Sequence, residues 1–154
     1  MMKLCSDVLT ALAGKTLVTA ESLTGGGIGA ALTAVSGSSA VYKGGIISYT
    51  NWVKEHILGV SHETLEYHGA VSLQTAEEMA VGARRVLRAD VAVSVTGLAG
   101  PGGDDYGNPV GTVCIGFSNE HESFAVKHHF EGNREDVRSQ TIRAALELVL
   151  DHHQ

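Results

Sequence analysis

A serine lies in a glycine-rich segment at a point where a strand is expected to lead into a helix. The segment is Glu21-Ser22-Leu23-Thr24-Gly25-Gly26-Gly27, and small residues follow it. Backbone N–H groups at the start of a helix bind anions, and glycine lets a ligand or a neighbouring strand approach closely. The segment therefore predicts a site for an anion or an oxyanion. The residues alone leave open a second interpretation, in which Ser22 or Thr24 only caps the helix.

The glycines of this segment also match a nucleotide-binding fingerprint by spacing, as Gly25-x-Gly27-x-x-Ala30. The acidic residue that binds ribose in that fold is missing, since residues 46–53 contain neither Asp nor Glu. The P-loop spacing is absent as well. We therefore reject a dinucleotide-binding or P-loop site.

Tyr49 and Lys54 lie on either side of a turn from a second strand into a short helix, so the lysine could fold back beside the phenol. A lysine that acts as a base needs its pKa lowered from ~10.4 to about 7–8, which costs roughly 4 kcal/mol and requires burial or a neighbouring cation. A lysine that stays charged would instead lower the pKa of Tyr49 or hold a phosphate. The sequence leaves both roles open, together with a surface position for each residue.

Two further segments contain candidate binding residues. A glycine-rich loop follows a buried strand, and we expect residues 96–100 to form a pocket wall and residues 104–106 to face solvent. Arg134 and Arg138 lie one turn apart at the start of the last helix, where the helix dipole disfavours cations by a few tenths of a kcal/mol each. This arrangement predicts that they bind phosphate or carboxylate. Surface pairing with Glu135 or Asp136 is the alternative.

Metal and redox chemistry are not expected. The eight histidines have no zinc-binding spacing, and Cys5 and Cys114 are too far apart in the chain to complete a zinc site. We expect both cysteines to be reduced packing residues and no cofactor to be needed.

The elements that position these residues alternate along the chain. Helices are predicted over residues 2–13, 28–35, 51–58, 61–67, 73–88 and 134–150, and strands over 16–20, 41–50, 90–96, 110–117 and 123–130. Strands separated by helices, with a hairpin near the end, predict a layered α/β sandwich on a mixed sheet and a single domain over residues 1–154. Sites in such sheets lie beyond the carboxyl ends of the strands.

Composition excludes several classes of protein. The 154 residues are 44% hydrophobic and 18% charged, and no apolar run approaches the length of a membrane span. The net charge of −6 argues against nucleic acid as a partner. With no leader-type segment at its start, we expect a cytoplasmic globular protein. As partners we expect a small-molecule nucleotide substrate and further copies of the chain in a homo-oligomer.

Five motifs occur together, and in this order the chain resembles the CinA carboxy-terminal domain family, the nicotinamide-nucleotide amidohydrolases. They are Ala20-Glu21-Ser22-Leu23-Thr24-Gly25-Gly26, Ser36-Gly37-Ser38-Ser39, Gly44-Gly45-Ile46-Ile47-Ser48-Tyr49-Thr50-Asn51 with Lys54, His68-Gly69-Ala70-Val71-Ser72, and Thr96-Gly97-Leu98-Ala99-Gly100-Pro101. The resemblance covers nearly the whole chain. Leu23, where Cys is common, and Trp52-Val53, which is bulkier than expected, depart from the family pattern.

The resemblance implies a three-layer α/β/α sandwich on a mixed, mainly parallel sheet. It also implies hydrolysis of the carboxamide of nicotinamide mononucleotide to nicotinate mononucleotide and ammonia, with Ser22 as nucleophile and Tyr49 and Lys54 activating it. The residues expected to bind the nucleotide are Thr24, Gly25, Gly26, Thr96, Gly97, Gly100, Arg134 and Arg138. A nucleotide-binding or regulatory module that lacks turnover is the alternative.

Overall fold

A computed structural model describes residues 1–154 as one five-stranded sheet between two layers of helices. The strands are β1 (Leu17–Glu21), β2 (Tyr42–Ile47), β3 (Val91–Gly97), β4 (Thr112–Ser118) and β5 (Ser123–His129). The helices are α1 (Met2–Ala11), α2 (Gly27–Thr33), α3 (Asn51–His56), α4 (His62–His68), α5 (Leu73–Leu87) and α6 (Arg134–Asp151), with a 3-10 turn at Ser38–Ala40. Each predicted helix and strand is present, with its ends shifted by a few residues.

The sheet has the strand order β2-β1-β3-β4-β5. The pairs β1–β2 and β1–β3 are parallel, whereas β3–β4 and β4–β5 are antiparallel. Four strands therefore run in one direction and β4 opposes them. Helices α1, α2 and α6 pack on one face, and α5 packs on the other together with α4. The predicted three-layer sandwich on a mixed sheet is confirmed.

The two central strands β1 and β3 are buried along both faces, which explains why their sequences are apolar without a clear alternation. In β1, Leu17 packs against the layer of α1, α2 and α6, whereas Val18 and Ala20 pack against the layer that contains α5. The two cysteines are free and buried, and they lie in different core clusters, as expected of reduced packing residues.

The Gly44-Gly45 pair forms a β-bulge at the edge of the sheet. Leu17 pairs with Tyr42, but the next residue of β1 pairs with Gly44, so one residue of β2 is skipped. Gly44 has φ +154°, and a side chain at Gly45 would press on the Tyr42 hydroxyl at 2.7 Å. The predicted bulge and close approach are both present. The bulge changes the register in which β2 continues toward residues 48–54.

Side-chain caps begin two of the helices as the sequence predicts. The Ser61 hydroxyl accepts a hydrogen bond from the backbone of Thr64, and Asn133 forms a reciprocal capping box with Asp136. None of the helices is both long and apolar enough to cross a membrane.

Candidate active site

A cavity of about 480 Å³ opens where the parallel strands end. The connections that follow β1 and β2 cross the sheet on opposite faces, and such a reversal leaves a crevice at the carboxyl edge. The cavity is lined by Ser22, Leu23, Tyr49, Asn51, Lys54, Ala70, Val71, Thr96, Gly97, Leu98, Ala99, Gly100, Pro101, Gly102 and Arg134. Its only charged side chains are those of Lys54 and Arg134, and none is acidic. This lining suits an anionic ligand.

Ser22 and Lys54 meet at the base of this cavity, where Lys54 Nζ lies 3.3 Å from Ser22 Oγ. Ser22 follows directly on β1, and its backbone N–H donates to the carbonyl of Val95 in β3. Lys54 comes from α3, and both residues are nearly inaccessible, with exposed fractions of 6% for Ser22 and 2% for Lys54. The fold thus places an amine against a hydroxyl at a distance suitable for proton transfer.

Lys54 has no anionic partner in this buried position. Its Nζ donates to the carbonyl oxygens of Ser48 at 2.9 Å and Tyr49 at 3.3 Å, and no carboxylate forms an ion pair with it. Burial lowers the pKa of Lys54 from 10.5 to about 8. A neutral amine has two N–H donors and one lone pair, so the two carbonyls leave the lone pair for the hydroxyl of Ser22.

Tyr49 lies at the rim of the cavity with its side chain 58% exposed. Lys54 contacts its backbone carbonyl, whereas the phenol oxygen accepts a hydrogen bond from Arg134 Nη2 at 3.3 Å. Of the positions that the sequence leaves open, the one that places the lysine beside the phenol is not observed, because the amine binds the backbone carbonyl of Tyr49. Tyr49 is connected to the serine only through its main chain.

Arg134 and Arg138 of α6 separate in space although they are one turn apart. Arg134 lines the cavity, and its Nη1 donates to the carbonyl of Gly100 at 2.7 Å. Arg138 does not line the cavity, because its guanidinium binds the carbonyls of Leu23 at 2.9 Å and Thr24 at 3.2 Å. Neither arginine forms an ion pair, so the alternative of surface pairing is not observed.

Glu21 binds the start of α2, where the sequence predicts an anion site. Its carboxylate accepts hydrogen bonds from the backbone N–H groups of Ile28 at 2.8 Å and Gly29 at 3.0 Å. It also accepts from the hydroxyls of Thr24 at 2.6 Å and Thr19 at 3.3 Å. The N–H groups of Ile28 and Gly29 are thus bound by the protein's own carboxylate, so an anion or oxyanion would have to use other N–H groups of the segment.

Three residues of the expected binding set do not line the cavity with their side chains. The Thr24 hydroxyl is engaged by Glu21, and neither Gly25 nor Gly26 lines the cavity. A sequence signal for this role of Glu21 exists. It is the only acidic residue between Asp7 and Glu55, and the first turn of α2 has no acidic residue of its own.

Glu21→Gln is expected to destabilise the fold by about 2 kcal/mol, because hydrogen bonds to a buried charged group are strong and the amide nitrogen of glutamine cannot accept. Urea unfolding measures the effect. The matched control is Glu147→Gln on the exposed side of α6, which should change the free energy of unfolding by less than about 0.5 kcal/mol. Equal stabilities of the two variants would contradict this role.

The end of β3 and the loop after it form one wall of the cavity, as expected for residues 96–100. The Thr96 hydroxyl donates to the carbonyl of Ala70 at 2.8 Å and joins the two lining segments. A side chain at Gly97 would meet the carbonyl of Thr112 at 2.9 Å, and Gly100 has φ +94°. Close approach at the first position and the left-handed conformation at the second account for these two glycines.

Residues 104–106 are more anchored than the expectation of a solvated excursion suggests. Asp105 and Tyr106 are exposed, yet the Tyr106 hydroxyl donates to the carbonyl of Glu66 at 2.6 Å.

The two departures from the family pattern also have distinct positions. Leu23 is buried and lines the cavity, whereas Trp52 is exposed and stacks on His56 with ring centroids 4.4 Å apart.

Known proteins resemble this chain over most of its length. The family model described as "CinA C-terminal domain" matches residues 1–153. The Escherichia coli K12 protein named "Nicotinamide-nucleotide amidohydrolase PncC" is 43% identical over 152 residues, which cover 97% of this chain and 92% of that protein. A "CinA-like protein" of Mycolicibacterium gilvum is 46% identical over 144 residues, 93% of this chain but 34% of the relative. The chain spans about a third of the length of such longer relatives.

Solved structures match over nearly the full chain. The crystal structure of the competence/damage inducible protein CihA from Agrobacterium tumefaciens has a TM-score of 0.94 and 41% identity, and the match covers 99% of this chain and 95% of that one. The competence damage-inducible protein A (ComA) from Klebsiella pneumoniae has a TM-score of 0.95 and 35% identity, with coverage of 98% and 95%. From the family match over residues 1–153, the chain belongs to the CinA C-terminal domain family.

Proposed function

We propose that this protein hydrolyses the carboxamide of nicotinamide mononucleotide to nicotinate mononucleotide and ammonia, a step of pyridine nucleotide salvage. The observation that carries the proposal is the 3.3 Å contact between Lys54 Nζ and Ser22 Oγ inside the cavity. Similarity to the Escherichia coli nicotinamide-nucleotide amidohydrolase over 97% of the chain supports the substrate.

In the first step, Ser22 attacks the carboxamide. The neutral amine of Lys54 takes the proton of the Ser22 hydroxyl while Oγ forms a bond to the carbonyl carbon. The carbonyl oxygen becomes an oxyanion, which backbone N–H groups beside Ser22 stabilise. The C–N bond then breaks, and the Lys54 ammonium returns its proton to the leaving nitrogen. Ammonia departs and the nicotinoyl group remains as an ester of Ser22.

In the second step, water cleaves this ester. Lys54, again neutral, takes a proton from water as the water oxygen attacks the acyl carbon. The bond to Ser22 Oγ breaks, and Oγ recovers its proton from Lys54. The product is a carboxylic acid that ionises, and one water molecule is consumed for each ammonia released. Because the amine and the backbone supply the base and the oxyanion donors, we propose that no metal is required, and activity in the presence of a chelator tests this.

The rest of the cavity binds the nucleotide in this proposal. Lys54 is neutral in its reactive form, so Arg134 is left as the cation that binds the phosphate. The phenol of Tyr49 and the carbonyl of Gly100 hold the guanidinium in place. Thr96 and Gly97 contribute the wall against which the pyridine ring lies.

Arg134→Ala is expected to raise KM for nicotinamide mononucleotide by roughly tenfold to a hundredfold with little change in kcat, because the phosphate is bound equally in the ground state and the transition state. The riboside, which lacks the phosphate, should lose no affinity in the same variant. Steady-state kinetics on both compounds measures the difference. An equal effect of the substitution on the two substrates would contradict the phosphate role.

The proposal as a whole is tested by incubating the protein with nicotinamide mononucleotide and measuring ammonia and nicotinate mononucleotide. Stoichiometric release of both is expected. Saturable nucleotide binding without any product would overturn it in favour of a binding or regulatory module.

We also propose a cytoplasmic homo-oligomer, for which light scattering gives the assembly size.

A further inference from the structure

Arg138 directs its guanidinium to the turn that carries the nucleophile. Its Nε donates to the carbonyl of Leu23 at 2.9 Å and its Nη2 to the carbonyl of Thr24 at 3.2 Å. These two residues follow Ser22 directly, although more than a hundred residues separate them from Arg138 in the chain. One side chain of α6 therefore fixes two consecutive peptide groups beside the serine.

The charge of this arginine is not used in any other contact of the fold. No carboxylate pairs with Arg138, and the side chain does not reach the cavity that Arg134 lines. A half-buried cation bound only to carbonyl oxygens polarises the peptide groups that it contacts. The effect is directed at the main chain of the turn rather than at a ligand.

The orientation of these peptides determines where their N–H groups point. In a trans peptide, the carbonyl and the following N–H lie on opposite sides, and the only cis bond in the structure is Gly100-Pro101. Because Arg138 holds the carbonyl of Leu23, the N–H of Thr24 points away from this arginine. No backbone carbonyl accepts from the N–H groups of Leu23 or Thr24.

Other donors near the serine are already engaged. The N–H groups of Ile28 and Gly29 at the start of α2 donate to Glu21, and the N–H of Ser22 donates to Val95. The free N–H groups of Leu23 and Thr24 are thus the ones next to Ser22 that remain for an oxyanion.

We infer that Arg138 is a positioning residue, which holds the Leu23–Thr24 peptide so that the N–H of Thr24 stabilises the oxyanion formed at Ser22. The second peptide that it holds, Thr24–Gly25, has its N–H bound to the carbonyl of Ser22 and so fixes the turn. The inference rests on the proposed serine mechanism, and it assigns Arg138 to the transition state rather than to nucleotide binding. The other two arginines of α6 lie in different surroundings, since Arg134 faces the cavity and Arg143 is exposed.

The test compares Arg138→Ala, Arg138→Lys and the control Arg143→Ala. In Arg138→Ala, kcat is expected to fall by about a hundredfold while KM stays within about threefold, which is the effect of losing one oxyanion donor. Added methylguanidinium should restore part of the activity in Arg138→Ala and have no effect on Arg143→Ala. Arg138→Lys is expected to lie between wild type and alanine, because an ammonium binds one carbonyl well but cannot span two.

A rise in KM at unchanged kcat would overturn the inference, because it would make Arg138 a substrate contact. A cooperative thermal unfolding transition of Arg138→Ala would exclude a general loss of structure. A merely structural role of Arg138 would not explain the rescue of activity by methylguanidinium.

A second measurement separates this inference from the proposed substrate. When an activated serine attacks a fluorophosphonate, negative charge develops on the phosphoryl oxygen of the reagent. Mass spectrometry gives the rate at which Ser22 is labelled. We expect labelling to slow by at least about tenfold in Arg138→Ala and to be unchanged in Arg143→Ala. If wild type is labelled but releases no ammonia from nicotinamide mononucleotide, the proposed substrate fails and the positioning role stands. If labelling is equally fast in wild type and Arg138→Ala, the positioning role fails.

Discussion

Ser22→Ala is expected to reduce ammonia release from nicotinamide mononucleotide by roughly 10⁴- to 10⁶-fold, which is the loss seen when a covalent nucleophile is removed. The hydroxyl lies 3.3 Å from the Lys54 amine, whose other partners are two backbone carbonyls. Without it the carbonyl must be attacked by water directly, and the two-step path is lost. Steady-state assays of ammonia measure the change.

The matched control is Ser139→Ala on the exposed side of α6, which should keep wild-type activity. When the wild-type enzyme is denatured during turnover, mass spectrometry should detect a nicotinoyl ester on Ser22. The Ser22→Ala variant should show none. Ammonia release at the wild-type rate in Ser22→Ala would disprove the nucleophile assignment.

Lys54→Met is expected to lower kcat on the order of 10²- to 10⁴-fold, because a methionine of similar length cannot accept the proton of Ser22. In the wild type, kcat/KM should rise with pH and level off above about 8, since burial lowers the pKa of Lys54 to that value and only the neutral amine accepts a proton. The residual activity of Lys54→Met should lack this inflection. A wild-type profile with no inflection near this pH would contradict the role of Lys54 as the base.

The same pKa change predicts a stability effect that distinguishes loss of a base from loss of structure. The Lys54 pKa is about 8 in the folded chain and has its ordinary value of 10.5 in the unfolded chain, so between these values the unfolded chain binds more protons. The free energy of unfolding of the wild type should therefore rise by at most about 3 kcal/mol as pH increases from 8 to 10.5. Below pH 8 the cost of the buried charge is present in full.

Urea unfolding on both sides of this pH range measures the effect. Lys54→Met should lack the rise, whereas the exposed-surface control Lys15→Met should keep it. The same dependence on pH in Lys54→Met and in wild type would show that the rise has another source.

Much of the fold follows from interactions between residues that are close in sequence. Ser61 and Asn133 cap helices because a short polar side chain reaches the N–H groups two or three residues ahead. Gly44-Gly45 marks the bulge in β2 for a similarly local reason, since glycine tolerates the conformation and the close approach that a bulge requires. The buried strands β1 and β3 are recognisable by their apolar composition.

The placement of the candidate site depends on the tertiary fold. Arg134 and Arg138 have the same residue type and neighbouring positions, yet one lines the cavity and the other binds the turn of Ser22. Helical spacing shows that two side chains share a face and does not show what that face contacts. The capture of the α2 terminus by Glu21 likewise depends on how the turn closes.

The sequence by itself determined the order of the elements, their caps and bulge, and a serine at a strand-to-helix turn, because each of these depends on short-range sterics and hydrogen bonding. Only the tertiary structure decided that Lys54 contacts Ser22 across 32 residues and is buried there without an anion. The physical reason is that desolvation, which lowers the pKa of this lysine, is produced by segments distant in the chain that pack around it.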